Sequence, residues 1–296
     1  MIAESRYSPV SQRGDGAVRV ELAADHPGVT DPAYRARRDE LAALALAWSP
    51  GQVLPRPAYR PEEHEVWRIV SAELAGLHQQ HAVSVYLEGK AALALPDDGV
   101  PQLDEVSSGL GRLVGFTYRP VAGLAPLRDF YGAFADGVFC STQYLRHPSV
   151  PLYTPEPDVI HEVIGHANQL AHPNLAAIYR QVGEAVRRTT GAAPRRWLSQ
   201  VFWVSMEFGL VREGGELKAL GAGILSSVGE TRAFVDADVR HPDLAEMGRL
   251  DYDITRYQPV LYAWDSLAHL EDQLGELLTD FDDEVFARRV AAASPA

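Results

Sequence analysis

Apolar residues along this chain recur at helical intervals more often than in alternation. Residues 61–82, PEEHEVWRIVSAELAGLHQQHA, open with Pro and two Glu, which suit a first helical turn, and space Val66, Ile69, Val70, Leu74 and Leu77 along one face. After Pro32, YRARRDELAALALAWS sets Leu41, Leu44, Leu46 and Trp48 among charges, an amphipathic helix that PGQVLPRPAYRP ends because Pro55, Pro57 and Pro61 cannot continue a helix interior. PQLDEVSSGLGRL reads as a shorter helix and GFTYRPV as a short strand. RDFYGAFADGVFCSTQYLRH reads as helix followed by strand or loop, interrupted at Gly132 and Gly137. Beyond a Pro-rich loop, helices are expected from near Asp158 and over residues 173–189. WLSQVFWVSMEFGLVRE is apolar on nearly every side, as in a helix buried mid-domain, and WDSLAHLEDQLGELLTDF is an amphipathic closing helix. KALGAGILSSVGE, rich in small residues, reads as a strand–loop passage where backbone approaches something closely. Residues 1–30 are polar and aperiodic, a loosely held arm. The expectation is an α+β fold, mainly α with a few short strands, with residues 31–296 as a single catalytic domain.

Composition narrows the partners. Lys and Arg number 27 against 40 Asp and Glu, a net charge of −13, which argues against nucleic acid and acidic membrane surfaces and leaves a small molecule as the default partner. Cys140 is the only cysteine, which excludes an intrachain disulfide and Cys-rich zinc or iron–sulfur sites, and fits a reducing cytoplasm. MIAESRYSPV lacks the pattern of a signal peptide, and no stretch reaches the roughly 18 apolar residues of a membrane span. A soluble, cytoplasmic protein is expected.

The segment TPEPDVIHEVIGHANQL brings His161 and His166 within five residues, with Glu162 beside the first. This is not the HExxH spacing of zinc proteases. On an α-helix five positions rotate about 500°, leaving the two rings roughly 140° apart, so convergence on one ion requires the helix to deform, which Gly165 permits. Glu207, flanked by Phe202, Trp203, Met206 and Phe208, is costly to bury unless paired, and a divalent cation supplies a partner. Two His and one carboxylate match the facial triad of non-haem Fe(II) oxygenases, with positions open for water, oxygen or substrate. The bland alternatives are one surface and one core histidine, and a Glu207 paired with an Arg.

TQYLRH at 142–147, YTPEPDVIHEVIGH at 153–166, FWVSMEFGL at 202–210 and GAGILSSVGE at 221–230 resemble, in order and spacing, the aromatic amino acid hydroxylases. With RPVAGLAPLRDF before and YQPVLY after, the resemblance covers residues 30–265 and is strongest to the bacterial phenylalanine hydroxylases. It implies His161, His166 and Glu207 as iron ligands. It implies Arg146 as the anchor of the substrate carboxylate, for which a planar guanidinium is suited. Thr154 and Ser226 match polar groups near the substrate's backbone end, with Ser226 also orienting a ligand histidine. Pro155, Trp203, Phe208 and Gly223 match the wall around the substrate ring. Phe130 matches the residue that stacks on the pterin, Gly123, Ala125 and Leu127 the loop at the pterin's edge, and Glu162 the acid near it. The implied reaction is oxidation of an aromatic ring with Fe(II), O2 and tetrahydrobiopterin or a related tetrahydropterin that supplies two electrons, with pterin-recycling enzymes functionally linked.

Within the family, Trp203 stands where Phe is usual in tryptophan hydroxylases, and Ile254 is apolar where tyrosine hydroxylases carry an acid, so L-phenylalanine, converted to L-tyrosine, is the leading substrate. Departures lie in Ala167 and Asn168, where Val-Pro is usual, in Cys140, where His is common, and in Ala125-Pro126-Leu127. They leave room for meta hydroxylation, a phenylalanine 3-hydroxylase, with tryptophan or tyrosine as further alternatives. No segment resembles the regulatory domain or oligomerisation helix of animal members, so a monomer is expected. The alternative from another class is a metal-dependent hydrolase, with Zn(II) on the same triad and Glu162 activating water.

Overall fold

The computed structural model describes residues 8–12, 14, 17–250 and 256–292; Ile254 lies outside them. The chain starts with β1 (Val10–Gln12) and β2 (Val18–Val20), then α1 (Pro32–Ala47), α2 (Pro61–His81), α3 (Ser84–Leu93) and α4 (Leu103–Leu113). β3 (Thr117–Pro120), α5 (Leu127–Ala133) and β4 (Val138–Ser141) follow. The middle of the chain is a π-helix over His161–Ala167, α6 (Asn168–Leu170), α7 (Pro173–Arg188), α8 (Ala192–Phe202) and a second π-helix over Trp203–Glu207. The last part comprises β5 (Leu210–Glu213), β6 (Glu216–Ala219), α9 (Ala222–Leu225), α10 (Val228–Ala233), β7 (Asp238–Arg240), α11 (Leu244–Met247), β8 (Val260–Trp264), α12 (Leu267–Thr279) and α13 (Asp283–Ala292). The architecture is mainly helical with short strands, as the periodicity predicts.

Local chemistry sets several boundaries. Asp31 caps α1 by accepting from the Ala33 and Tyr34 N–H groups, ahead of Pro32 at the first helical position. The Glu63 carboxylate accepts from the Arg60 N–H at the start of α2. β5 and β6 join through Gly214 and Gly215, whose φ angles of 61° and 85° give a two-residue hairpin turn that only glycine adopts easily. β5 then pairs in parallel with β8, and β8 with β7, for a spatial order β6-β5-β8-β7. Around this sheet the core is continuous: Trp67, Val70 and Leu74 of α2, Tyr179 and Val186 of α7, Phe202, Leu210, Val211, Trp264 and Leu274 all fall within it. Among the described residues no helix is long and apolar enough to cross a membrane.

Three expectations need correction. Residues 8–12 and 17–30 are not a loose arm: β1 and β2 pair antiparallel, Val10 and Val20 are buried against Ala42, Ala45 and Ala122, and the Val20 N–H donates to Asp39 at 2.7 Å. Strands of three residues are too short for alternation to register. The apolar run 197–213 is not one helix; it widens into the second π-helix, breaks at Gly209 and continues as β5, where Leu210 and Val211 enter the sheet. KALGAGILSSVGE is β6 followed by two short helices, α9 and α10, rather than strand and loop. The close backbone approach expected there does occur, since a Cβ on Gly221 would lie 2.2 Å from the Glu207 carbonyl oxygen.

Candidate active site

The two π-helices answer the geometric objection raised by the five-residue spacing. Bonding from i to i+5 places residues five apart on nearly one face, where an α-helix would splay them. His161 and His166 sit at positions one and six of the first π-helix. The second closes with the Phe208 N–H donating to the Trp203 carbonyl at 2.9 Å and carries Glu207 at its end. Gly165 lets α9 pack onto the first, because a Cβ there would meet the Ala222 carbonyl oxygen at 2.7 Å.

Three ligand groups converge as a result. His166 Nε2 lies 3.0 Å from His161 Nε2 and 3.1 Å from Glu207 Oε1, and His161 Nε2 lies 3.6 Å from Glu207 Oε2. The opposite ring nitrogens are engaged: His161 Nδ1 with Ser226 Oγ at 2.9 Å, His166 Nδ1 with the Tyr179 hydroxyl at 2.7 Å. Glu207 Oε2 is buried with no hydrogen-bond partner among the described residues. A divalent cation fits this arrangement: a hard–borderline N2O donor set, ring nitrogens free on the facing side, and a buried oxygen lacking a donor.

Glu162 is within reach of the same point, its ligating oxygen and a ring nitrogen each of His161 and His166 lying within 4.8 Å of one another. Electrostatics separate the two carboxylates. Burial and the charge of Glu207 push Glu162 well above the usual carboxylate range. Burial would raise Glu207 too, but His166 and His161 outweigh it and hold that carboxyl below its ordinary value. Glu207 is both nearer to Nε2 of His166 and the better anion, and therefore the third ligand that the geometry favours. Burial lowers His161 to about 4, with neighbouring His166 adding to the effect, so that ring is neutral and able to donate a lone pair at neutral pH.

A cleft opens beside the triad, lined by Arg146, Thr154, His161, Trp203, Glu207, Phe208, Gly223 and Ser226. The Trp203 and Phe208 rings lie 4.7 Å apart at 38°, forming an aromatic wall. Phe208 seats on Gly223, where a Cβ would stand 2.7 Å from its ring. Arg146 is a pinned cation: Nε and Nη2 donate to the two oxygens of buried Asp158 at 2.9 Å each, and its backbone N–H donates there as well. Its Nη1 has no protein acceptor among the described residues. Pro155 is buried and does not line the cleft; Pro157, two positions on, takes that place.

The residues matched to the pterin form a separate group. Phe130 is half-buried in an aromatic cluster, 5.5 Å from Phe139, whose ring stands 4.7 Å from that of His166. Gly123 and Ala125 are half-buried, and Leu127, at the start of α5, is 41% exposed. Neither these nor Glu162 line the cleft beside Trp203.

Sequence reasoning missed Asp158, which orients Arg146, and Glu230, which lines the cleft. Glu230 accepts from the Gln258 N–H at 3.3 Å and is otherwise enclosed, and burial pushes its carboxyl up to about 7. Lone carboxylates carry no spacing signal, so only the fold reveals them.

Residues 16–288 match the family described as biopterin-dependent aromatic amino acid hydroxylase. The phenylalanine 3-hydroxylase of Streptomyces coeruleorubidus is 43% identical over 91% of this chain and 96% of its own length. The phenylalanine-4-hydroxylase of Rattus norvegicus is 38% identical over 86% of this chain but only 57% of its own length, so the chain spans little more than half of that relative. Among solved structures, the phenylalanine hydroxylase of Chromobacterium violaceum with bound iron(III) and 7,8-dihydrobiopterin superposes with a TM-score of 0.74 at 28% identity, over 82% of this chain and 87% of that one.

Proposed function

The chain belongs to the biopterin-dependent aromatic amino acid hydroxylases, and on that premise we propose that it hydroxylates the ring of free L-phenylalanine, using Fe(II), O2 and a tetrahydropterin. The observation that carries this reading is the convergence of His161 Nε2, His166 Nε2 and Glu207 at the mouth of a cleft with an aromatic wall and a pinned guanidinium. Bound iron and pterin together supply activation of oxygen and the two electrons of the reaction.

The protein's own share is placement. Arg146, held rigid by Asp158, presents its remaining N–H groups to the substrate carboxylate, and Thr154 and Ser226 flank that end. Trp203, Phe208 and Gly223 hold the ring against the metal side, with Pro155 backing a wall whose cleft-facing proline is Pro157. Phe130 stacks on the pterin while Gly123, Ala125 and Leu127 meet its edge and Glu162, which retains its proton readily, stands between pterin and metal. Residues 31–296 act as one catalytic domain with 1–30 as an N-terminal segment, and the protein works as a cytoplasmic monomer served by pterin-recycling enzymes.

Similarity over nearly the full length of a phenylalanine 3-hydroxylase favours the meta position. The departures at Ala167, Asn168 and Cys140 lie at or near His166 and Glu162 and supply a place where ring pose can differ. The test is anaerobic reconstitution with Fe(II), then L-phenylalanine, tetrahydrobiopterin and oxygen, with products separated against ortho-, meta- and para-tyrosine. Meta-tyrosine is expected. Para-tyrosine would restore conversion to L-tyrosine as the activity, and turnover without oxygen would replace the hydroxylase reading with a hydrolase.

A further inference from the structure

Behind the triad, Gln169 is fully enclosed, and its hydrogen bonds have a direction that can be worked out atom by atom. Its Nε2 lies 3.1 Å from the Met206 carbonyl and 2.9 Å from the Leu220 carbonyl. Carbonyls only accept, so the amide NH2 must face them and Oε1 must face the remaining neighbour, the Tyr179 hydroxyl. Oε1 in turn only accepts, which commits the single Tyr179 proton to it. The Tyr179 oxygen then has only lone pairs to offer His166 Nδ1 at 2.7 Å, so Nδ1 is the protonated ring nitrogen. In the neutral ring Nε2 is then left as a lone pair facing His161 and Glu207.

Nothing comparable governs His161. Its Nδ1 meets Ser226 Oγ, a hydroxyl that can donate or accept and whose onward contact to the Gly223 carbonyl is a long 3.4 Å. The two histidines therefore differ: one has its proton assigned by the surrounding carbonyls, and the other is free to change tautomer.

We propose that Gln169 and Tyr179 are positioning residues that keep the proton of His166 on Nδ1, so that Nε2 faces the metal as a lone pair before any ion arrives. The same amide ties the two π-helices together, because Met206 directly precedes Glu207 while Gln169 follows His166 by three residues. Leu220, its other acceptor, precedes Gly221, which abuts the Glu207 backbone. This rests on the triad being a metal site.

Two measurements test it. The first needs no variant: a two-bond 1H–15N correlation spectrum of the metal-free, 15N-histidine-labelled protein reads the tautomer of each ring, and His166 is expected in the Nδ1–H form. The second is anaerobic Co(II) titration followed by visible absorption. Tyr179→Phe is expected to weaken Co(II) binding about 10- to 100-fold, with shifted absorption bands and a mixed His166 tautomer. Gln169→Glu, which still accepts from Tyr179 but donates to neither carbonyl, is expected to keep the Nδ1–H form, whereas Gln169→Leu loses it. An Nε2–H pattern for His166 in the unmodified protein overturns the proposal, as does a Tyr179→Phe protein with unchanged tautomer and affinity. Glu207→Gln and His161→Ala serve as references. If they too bind Co(II) normally, the metal-site reading itself has failed; if they lose it while Tyr179→Phe does not, only the proton relay falls.

Discussion

His161, His166 and Glu207 stand on turns whose neighbours are buried and hydrogen-bonded on every side, down to the tyrosine and serine behind the imidazoles. The loop over residues 121–130 is made differently. Its residues are half-buried or exposed apart from Ala122, it has no regular structure before α5, and it leans on the N-terminal hairpin, where a Cβ on Gly123 would touch Val10 at 3.0 Å. The proposed metal site is rigid because it grows from the middle of the core. The loop is placed by a peripheral contact, which suits a partner that enters and leaves with each turnover.

The contrast can be broken most sharply at the centre. Glu207→Gln and His161→Ala are expected to reduce oxygen-dependent hydroxylation to the level of the enzyme-free control while the circular dichroism of the fold persists; retained hydroxylation would remove these residues from the ligand set. Next in size is Arg146→Ala, which strands the buried Asp158 carboxylate and should cost about 3 kcal/mol of unfolding free energy in addition to raising KM for the amino acid. Urea titration with steady-state kinetics separates the two effects. On the loop side, Phe130→Ala should raise KM for the pterin about tenfold, as loss of one stacking partner does, and leave Co(II) affinity unchanged. A fall in metal affinity would show that loop and centre are one unit.

The smallest effect concerns Glu230, whose folded carboxyl titrates at about 7 rather than at the ordinary 4.5. Folding disfavours its charged form. The protein therefore loses stability as pH rises from about 4.5 to 7, by about 1 to 3 kcal/mol, and the loss is complete above that range. Glu230→Gln should abolish this component, so thermal melting of the variant and the unmodified protein should diverge across that window and run parallel above it.

Much of this was legible in the chain before its structure, for uneven reasons. Long helices such as α2 and α7 announce themselves through the 3.6-residue period of Val66, Val70 and Leu74 or Leu175, Ile178 and Val182. The proposed metal ligands were legible as chemistry, because a carboxylate among Phe202, Trp203, Met206 and Phe208 demands a partner. What could not be read was the backbone that makes them converge, since a π-helix has no residue signature and violates the periodicity used to find helices. The hairpin of β1 and β2, Asp158 behind Arg146, and the replacement of Pro155 by Pro157 in the cleft wall depend on contacts between segments far apart in sequence or on the path of an irregular loop. No local pattern encodes them.

Each ligand-bearing turn holds one residue more than an α-helix of the same span. Substitutions that regularise the backbone to an α-helix without changing its length would leave the two imidazoles five residues and about 140° apart and carry His166 away from His161, whereas removing a residue such as Ile164 would set them four apart, a spacing that an α-helix keeps on one face. In this segment helix regularity and function are opposed, so a search for more stable sequences would drift toward inert ones. A regular α-helix built from the same residues would be a well-folded scaffold with no chemistry.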